Sequence, residues 1–345
     1  MKVSIIFITL FAYISATTLK CQFTKNTVFS YVCEIRKVEL IDVADEFIVE
    51  HDDHQKDKSD SDVKMVSFID STINVVPNQI FSIFPNLDIL DLVNTRIKKW
   101  NRDNLKSAKH LRRIWLAYNQ IEELFDNSFI GATGLENLLL DNNKISKIGD
   151  KTFNGLSQVK SLEFQNNFIK TLSEKLLAPL KKLKELNLSE NKISHFDENA
   201  FHNNGRLEFL NLASNNITVL PEKLFHSQLD LTILYLHNNQ ITKLSPELFA
   251  DCSALMELRL DHNRILEIPL GMFTNNQMFK LLNIMHNDID KFNGKVLPEE
   301  MELLYLDESV ETENIMATLE IIRGEKKVSS LWTQPDKVVE YSAAE

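Results

Sequence analysis

Apolar residues return along this chain at an interval of 24 residues. The segments LRRIWLAYNQI, LENLLLDNNKI, LKELNLSENKI, LEFLNLASNNI, LTILYLHNNQI and LMELRLDHNRI begin at Leu111, Leu135, Leu183, Leu207, Leu231 and Leu255. Val159 fills the gap, Val63 and Leu87 extend the series backward, Phe279 extends it forward, and a shorter copy begins at Met301. The fourth column is apolar from Val66 and Leu90 through to Leu282, and the sixth from Phe68 and Leu92 through to Ile284. In a chain that is 43% apolar, ten apolar residues in one column arise by chance about twice in ten thousand. Apolar residues at the first, fourth and sixth positions predict a short strand in each copy. Successive strands would stack in parallel ~4.8 Å apart. One copy cannot bury its own apolar face, so neighbouring copies must shelter one another.

Two further columns support this reading. The ninth holds Asn119, Asn143, Asn167, Asn191, Asn215, Asn239, Asn263 and Asn287, preceded by Ser71 and Thr95. An inward amide can satisfy backbone groups left unpaired where the chain bends away from the strand. The nineteenth column holds Phe at 81, 129, 153, 201, 225, 249 and 273, which predicts a stacked aromatic spine. With these columns the sequence resembles the leucine-rich-repeat superfamily over about Val63 to Leu306. The likeness is to the 24-residue extracellular type of Toll-like receptor ectodomains and small leucine-rich proteoglycans. The resemblance implies an α/β solenoid of ten to eleven repeats, a curved horseshoe with a parallel β-sheet on its concave face.

The flanks differ from the repeats. Met1-Lys2, the apolar run Val3 to Ala12 and Ile14-Ser15-Ala16 read as a secretory signal over 1–16. Residues 17–62 form an N-terminal cap, 63–310 the solenoid, and 311–345 a C-terminal capping helix with an acidic tail. In the cap, Cys21 and Cys33 would join as a disulfide in an oxidising compartment. The relatives' cap commonly holds four cysteines, so half of that pattern is present. Val38 to Glu50 alternates in part and is expected to pair onto the first repeat. His51 to Asp62 reads as a disordered, solvated acidic loop. At the other end, Ile315, Met316, Leu319 and Ile322 fall at helical spacing before Gly324, predicting a covering helix. A partner-binding role for that helix is the alternative.

The net charge of −11 is concentrated in these flanks: residues 44–62 carry 8 Asp/Glu against 2 Lys, and 307–345 carry 9 against 4 Lys/Arg. The repeats are neutral on balance. From this the expectation is that no nucleic acid is bound. No stretch after the leader approaches ~20 apolar residues, so no membrane span is expected. Catalytic signatures such as GxSxG, HExxH, a phosphate-binding Gly loop or paired CxxC do not occur, and no enzyme activity or cofactor is expected. Cys252 falls in the column of Leu156 and Leu180 and reads as a buried apolar residue rather than a free reactive thiol or an intermolecular bridge. His237, His262 and His286 fall on consecutive repeats near the strand ends. They are a weak zinc candidate beside the reading that they are exposed polar residues.

Recognition by the concave face remains. The third and fifth positions point out of the strand, and two groups of aromatic, apolar and basic residues gather there. One is Arg113, Trp115 and Leu139, with Tyr118 just beyond, and the other is Phe209, Ile233, Tyr235 and Arg259. Exposed aromatic and Arg residues grouped on one face are the composition of an interface core, although the same residues can simply cover neighbouring apolar surface. Two N-glycosylation sequons occur, at Asn187 and Asn216, and a glycan at Asn187 would stand between the two groups. The expectation is a secreted, extracellular binding protein for a protein or glycan partner, with homo- or hetero-oligomers left open. The overall pattern looks like soluble insect leucine-rich-repeat proteins of innate immunity, without their coiled-coil tail, membrane span and cysteine C-cap. An extracellular-matrix organiser and a regulatory subunit of a secreted enzyme are the alternatives.

Overall fold

In the computed structural model the described residues are 17–26, 30–41, 47–51, 53–316 and 319–323. Each repeat contributes a strand at its third to fifth positions, as in Arg113–Trp115, Asn137–Leu139 and Ser161–Glu163. These strands pair in parallel with a constant offset of one repeat, so that Leu138 lies opposite both Ile114 and Leu162. Strands from Met65–Ile69 to Leu303–Leu306 follow this pattern inside one 15-stranded sheet. Alternation along each strand turns the fourth position into the solenoid and the third and fifth onto the concave surface.

The interior matches the columns. Leu138, Leu162, Leu186, Leu210, Leu234 and Leu258 are buried together with the first and sixth positions in one continuous core. The nineteenth column forms a file of rings, with Phe201, Phe225, Phe249 and Phe273 stacked at centroid spacings of 6.1, 5.8 and 6.1 Å. Each interior Asn bridges two coils. The Asn143 amide donates to Leu116, Leu140 and Asp141 carbonyls at 2.9, 3.1 and 3.1 Å, and its oxygen accepts from Ile121 N at 3.1 Å. The residue before each Asn takes a left-handed backbone, with φ between +52° and +56° from Asp70 to His286. That conformation suits Asn94, Asn142, Asn166 and Asn238 but is uncommon for Tyr118 and Glu190.

Both caps are built from strands. Thr17–Asn26 runs antiparallel to Ser30–Arg36, which pairs in parallel with Met65–Ile69 of the first repeat. Cys21 and Cys33 are joined, tying these two strands. The pairing expected of 38–50 is therefore made mainly by Ser30–Arg36. Glu39–Leu40 adds a two-residue bridge to Thr72–Ile73, and Phe47–His51 lies on the far side of Thr17–Asn26. The acidic segment is also corrected: residues 53–62 are ordered, with a 3₁₀ turn at Asp60–Asp62 boxed by Ser59. His54 stacks on Phe23 at 4.3 Å, which anchors that loop to the cap.

At the other end the expected helix does not form among the described residues of 311–323. Glu320–Arg323 is a strand paired in parallel with Leu303–Leu306. A final repeat strand presents a row of unpaired N–H and C=O groups, and another strand pairs with them in register. That demand overrides a helical spacing of four apolar residues. Arg323 completes the closure by donating to the carbonyls of Asp307, Glu308 and Val310 at 3.0–3.3 Å.

Candidate binding face

The concave surface is formed by the third, fifth and seventh positions of successive repeats. Coils that splay on the convex side draw together on the inner side, so these side chains meet their neighbours laterally. Three apolar clusters result. The first joins Trp115 to Val32, Met65 and Ile89, with Val93 and Leu139 packed against them. The second is Phe209, Ala213, Ile233 and Tyr235, and the third is Leu281, Met285 and Tyr305 with Leu303 and Ile322. The third cluster and the cap side of the first were missed in the sequence. Their signal was the same column of third and fifth positions, carried there by aliphatic residues and Met.

The sequence expected exposed anchors on this face, and that is corrected. Trp115, Phe209, Ile233 and Tyr235 are only 5, 5, 4 and 9% exposed, because the neighbours in each one's own cluster cover it. Tyr118 is the exposed member at 50%. Arg113, Leu139 and Arg259 are half-buried. Arg113 pairs with Asp88, 3.2 Å distant at the edge of the sheet. The second group is brought together as expected. Phe209 meets Tyr235 edge to face at 5.5 Å, and the Arg259 guanidinium lies 4.9 Å over the Tyr235 ring. Arg259 Nε donates to the fully buried Glu257 at 2.8 Å, while its Nη2 is buried and has no acceptor among the described residues.

Polar residues separate the clusters. Asp91 accepts from Ser67 Oγ at 2.6 Å, and burial pushes its carboxyl pKa up against that hydrogen bond. Asn187 is 8% exposed, and its side-chain oxygen accepts from Ser189 N and Oγ at 3.1 and 2.8 Å. Asn216, the other sequon, is exposed.

The three histidines do not converge. The His262 and His286 rings lie 4.2 Å apart, tilted at 44°, each beside its own carboxylate, Asp261 and Asp307. His237 meets the Tyr235 ring edge to face at 5.8 Å, and its Nδ1 is buried with no hydrogen-bond partner among the described residues. Among the described residues no group of three His, Cys, Asp or Glu side chains is placed to hold a metal ion. Cys252 is fully buried, and burial pushes its thiol pKa up to about 12. It sits among side chains that donate to the preceding coil: Asn204 to Leu177 O, Gln228 to Phe201 O and Asn276 to Phe249 O. This second polar column was not recognised in the sequence, because Leu and Ala occupy it in earlier repeats.

Comparison with known proteins follows the same lines. The family model described as Leucine rich repeat matches residues 85–145, 133–188, 176–217 and 206–265, a continuous stretch of more than half the chain. No curated protein matches the chain in sequence. Among solved structures, the complex of TLR13 with the single-stranded RNA ssRNA13 superposes with a TM-score of 0.65 at 24% identity, covering 76% of this chain and 40% of that one. The Drosophila Toll–Spatzle complex gives 0.62 at 20% identity, covering 76% and 41%. The APL1 leucine-rich repeat domain gives 0.59 at 18% identity, covering 89% and 86%. The chain thus spans about two-fifths of the two receptor chains. At these identities the likeness is one of fold. It nevertheless corrects the exclusion of nucleic acid drawn from net charge, since the fold shared with TLR13 is seen in complex with single-stranded RNA. Among the described residues no helix is long and apolar enough to cross a membrane.

Proposed function

The chain belongs to the leucine-rich-repeat family, and on that premise we propose that it is a secreted, non-catalytic binding protein whose concave wall grips a partner protein. The observation that carries this reading is Tyr118. It is half exposed on the concave rim, in a left-handed backbone (φ +56°) that Asn occupies in four other repeats. A bulky side chain is held there at a conformational cost, and it stands beyond the apolar shelf of Trp115 and Leu139. Arg259, whose half-buried guanidinium lies over the Tyr235 ring, supplies a second contact of the kind that dominates interfaces. Secretion is supported by the leader-like N-terminus and by the Cys21–Cys33 bridge. An immune role, as for Toll bound to Spatzle, is an analogy from fold alone.

The test is capture from the native extracellular fluid. Tyr118→Asn places the residue favoured by the backbone, so the variant should fold at least as stably as the parent and lose the partner. Undiminished capture of the same partner by Tyr118→Asn would remove the support this reading rests on.

A further inference from the structure

The repeats are neutral on balance, but their charges are not evenly distributed. On the concave positions Asp91, Glu163, Glu185 and Glu257 outnumber Arg113 and Arg259. The opposite sign accumulates on the leading edge, where the chain comes round from the convex side into each strand. Arg112, Lys160 and Lys184 line this edge at the second position, facing Asp88, Glu136 and Glu208. Those three carboxylates are thereby shared out among cations. Lys64, Lys109 and Arg206 remain exposed on the same edge without an ion pair among the described residues. Lys181 and Lys182 donate only to the neutral amides of Asn203 and Gln158. A groove of about 640 Å³ opens along this edge, lined by Lys64, Lys109, His110, Arg112 and Gln158 together with the ion-paired Asp88 and Glu136, and Gln158 joins it to Lys182.

We propose that this edge is a binding site for a sulfated polysaccharide, distinct from the concave wall. Repetition lays the unneutralised cations in a line from the Lys64 row to the Arg206 row, over roughly 30 Å at the spacing of parallel strands. A linear polyanion matches that line, and counterion release on its binding favours association. The edge carries no Phe, Tyr or Trp from Lys64 to Arg206. Single-stranded nucleic acid relies on such rings as stacking platforms, whereas a sulfated sugar chain needs charge and hydrogen-bond donors alone. The acidic concave surface disfavours the same ligand.

Binding of a heparin octasaccharide to the full chain, followed by calorimetry at about 0.15 M salt, tests this. The triple variant Lys181→Glu/Lys182→Glu/Arg206→Glu should bind at least about tenfold more weakly. Lys98→Glu/Lys99→Glu/Lys144→Glu makes the same change in net charge on the opposite side and should stay within about twofold of the parent. All six residues are exposed or half-buried, and unchanged melting temperatures would show both variants folded. The proposal is overturned by no binding of the parent, by equal weakening of both variants, or by tighter binding of a single-stranded oligouridylate than of the octasaccharide.

Discussion

At the scale of residues, the interior Asn column carries most of the load at the bends. Asn191 donates to Phe164, Leu188 and Ser189 carbonyls and accepts from Ile169 N. Asn191→Ala should destabilise the protein by about 1–3 kcal/mol, read by denaturant unfolding, because it strands buried backbone groups in two coils. His237 makes a different prediction. Burial lowers its pKa below the ordinary 6.5, and Asp261 opposes this only in part. The unfolded chain then binds the proton more readily than the folded one. Stability is present above 6.5 and is lost as pH falls toward the folded value. The melting temperature should drop on acidification, with a shallower slope in His237→Gln; an identical slope would remove His237 from that account. For the sequons, peptide mass analysis should find glycan on Asn216 and not on Asn187, whose side chain is packed into the concave wall.

At the scale of elements, the repeat strands were legible because ten copies vote on each column, whereas the caps occur once. A single spacing of Ile315, Met316, Leu319 and Ile322 suits a helix, yet the free edge of Leu303–Leu306 selects a strand. Likewise Ser30–Arg36, whose inward face is the alternating Tyr31, Cys33 and Ile35, takes the place expected of 38–50. The strand cap leads to a direct test. Donors to the preceding strand alternate from Glu320 N, which donates to Glu302 O, so Ile322→Pro removes a donor from the final ladder and should lower the melting temperature by several degrees. Amide exchange should quicken first in Leu303–Leu306. Unaltered exchange there would mean that Glu320–Arg323 does not close the sheet.

For the whole molecule, the columns fixed what faces inward but not how closely the concave side chains would meet. Trp115 and Tyr235 looked like free anchors because the third and fifth positions leave the core. Curvature then packed them against Ile89, Leu139 and Phe209. Net charge misled for a related reason: a sum over the chain hides the separation between an acidic concave surface and a basic leading edge. The central claim is that stacked coils leave their inner wall free to hold a partner. A photo-cross-linking side chain at position 118 on the concave rim, compared with one at position 154 on the convex side, tests it most directly in native fluid. The account predicts partner adducts from 118 and none from 154, and adducts from 154 alone would contradict it.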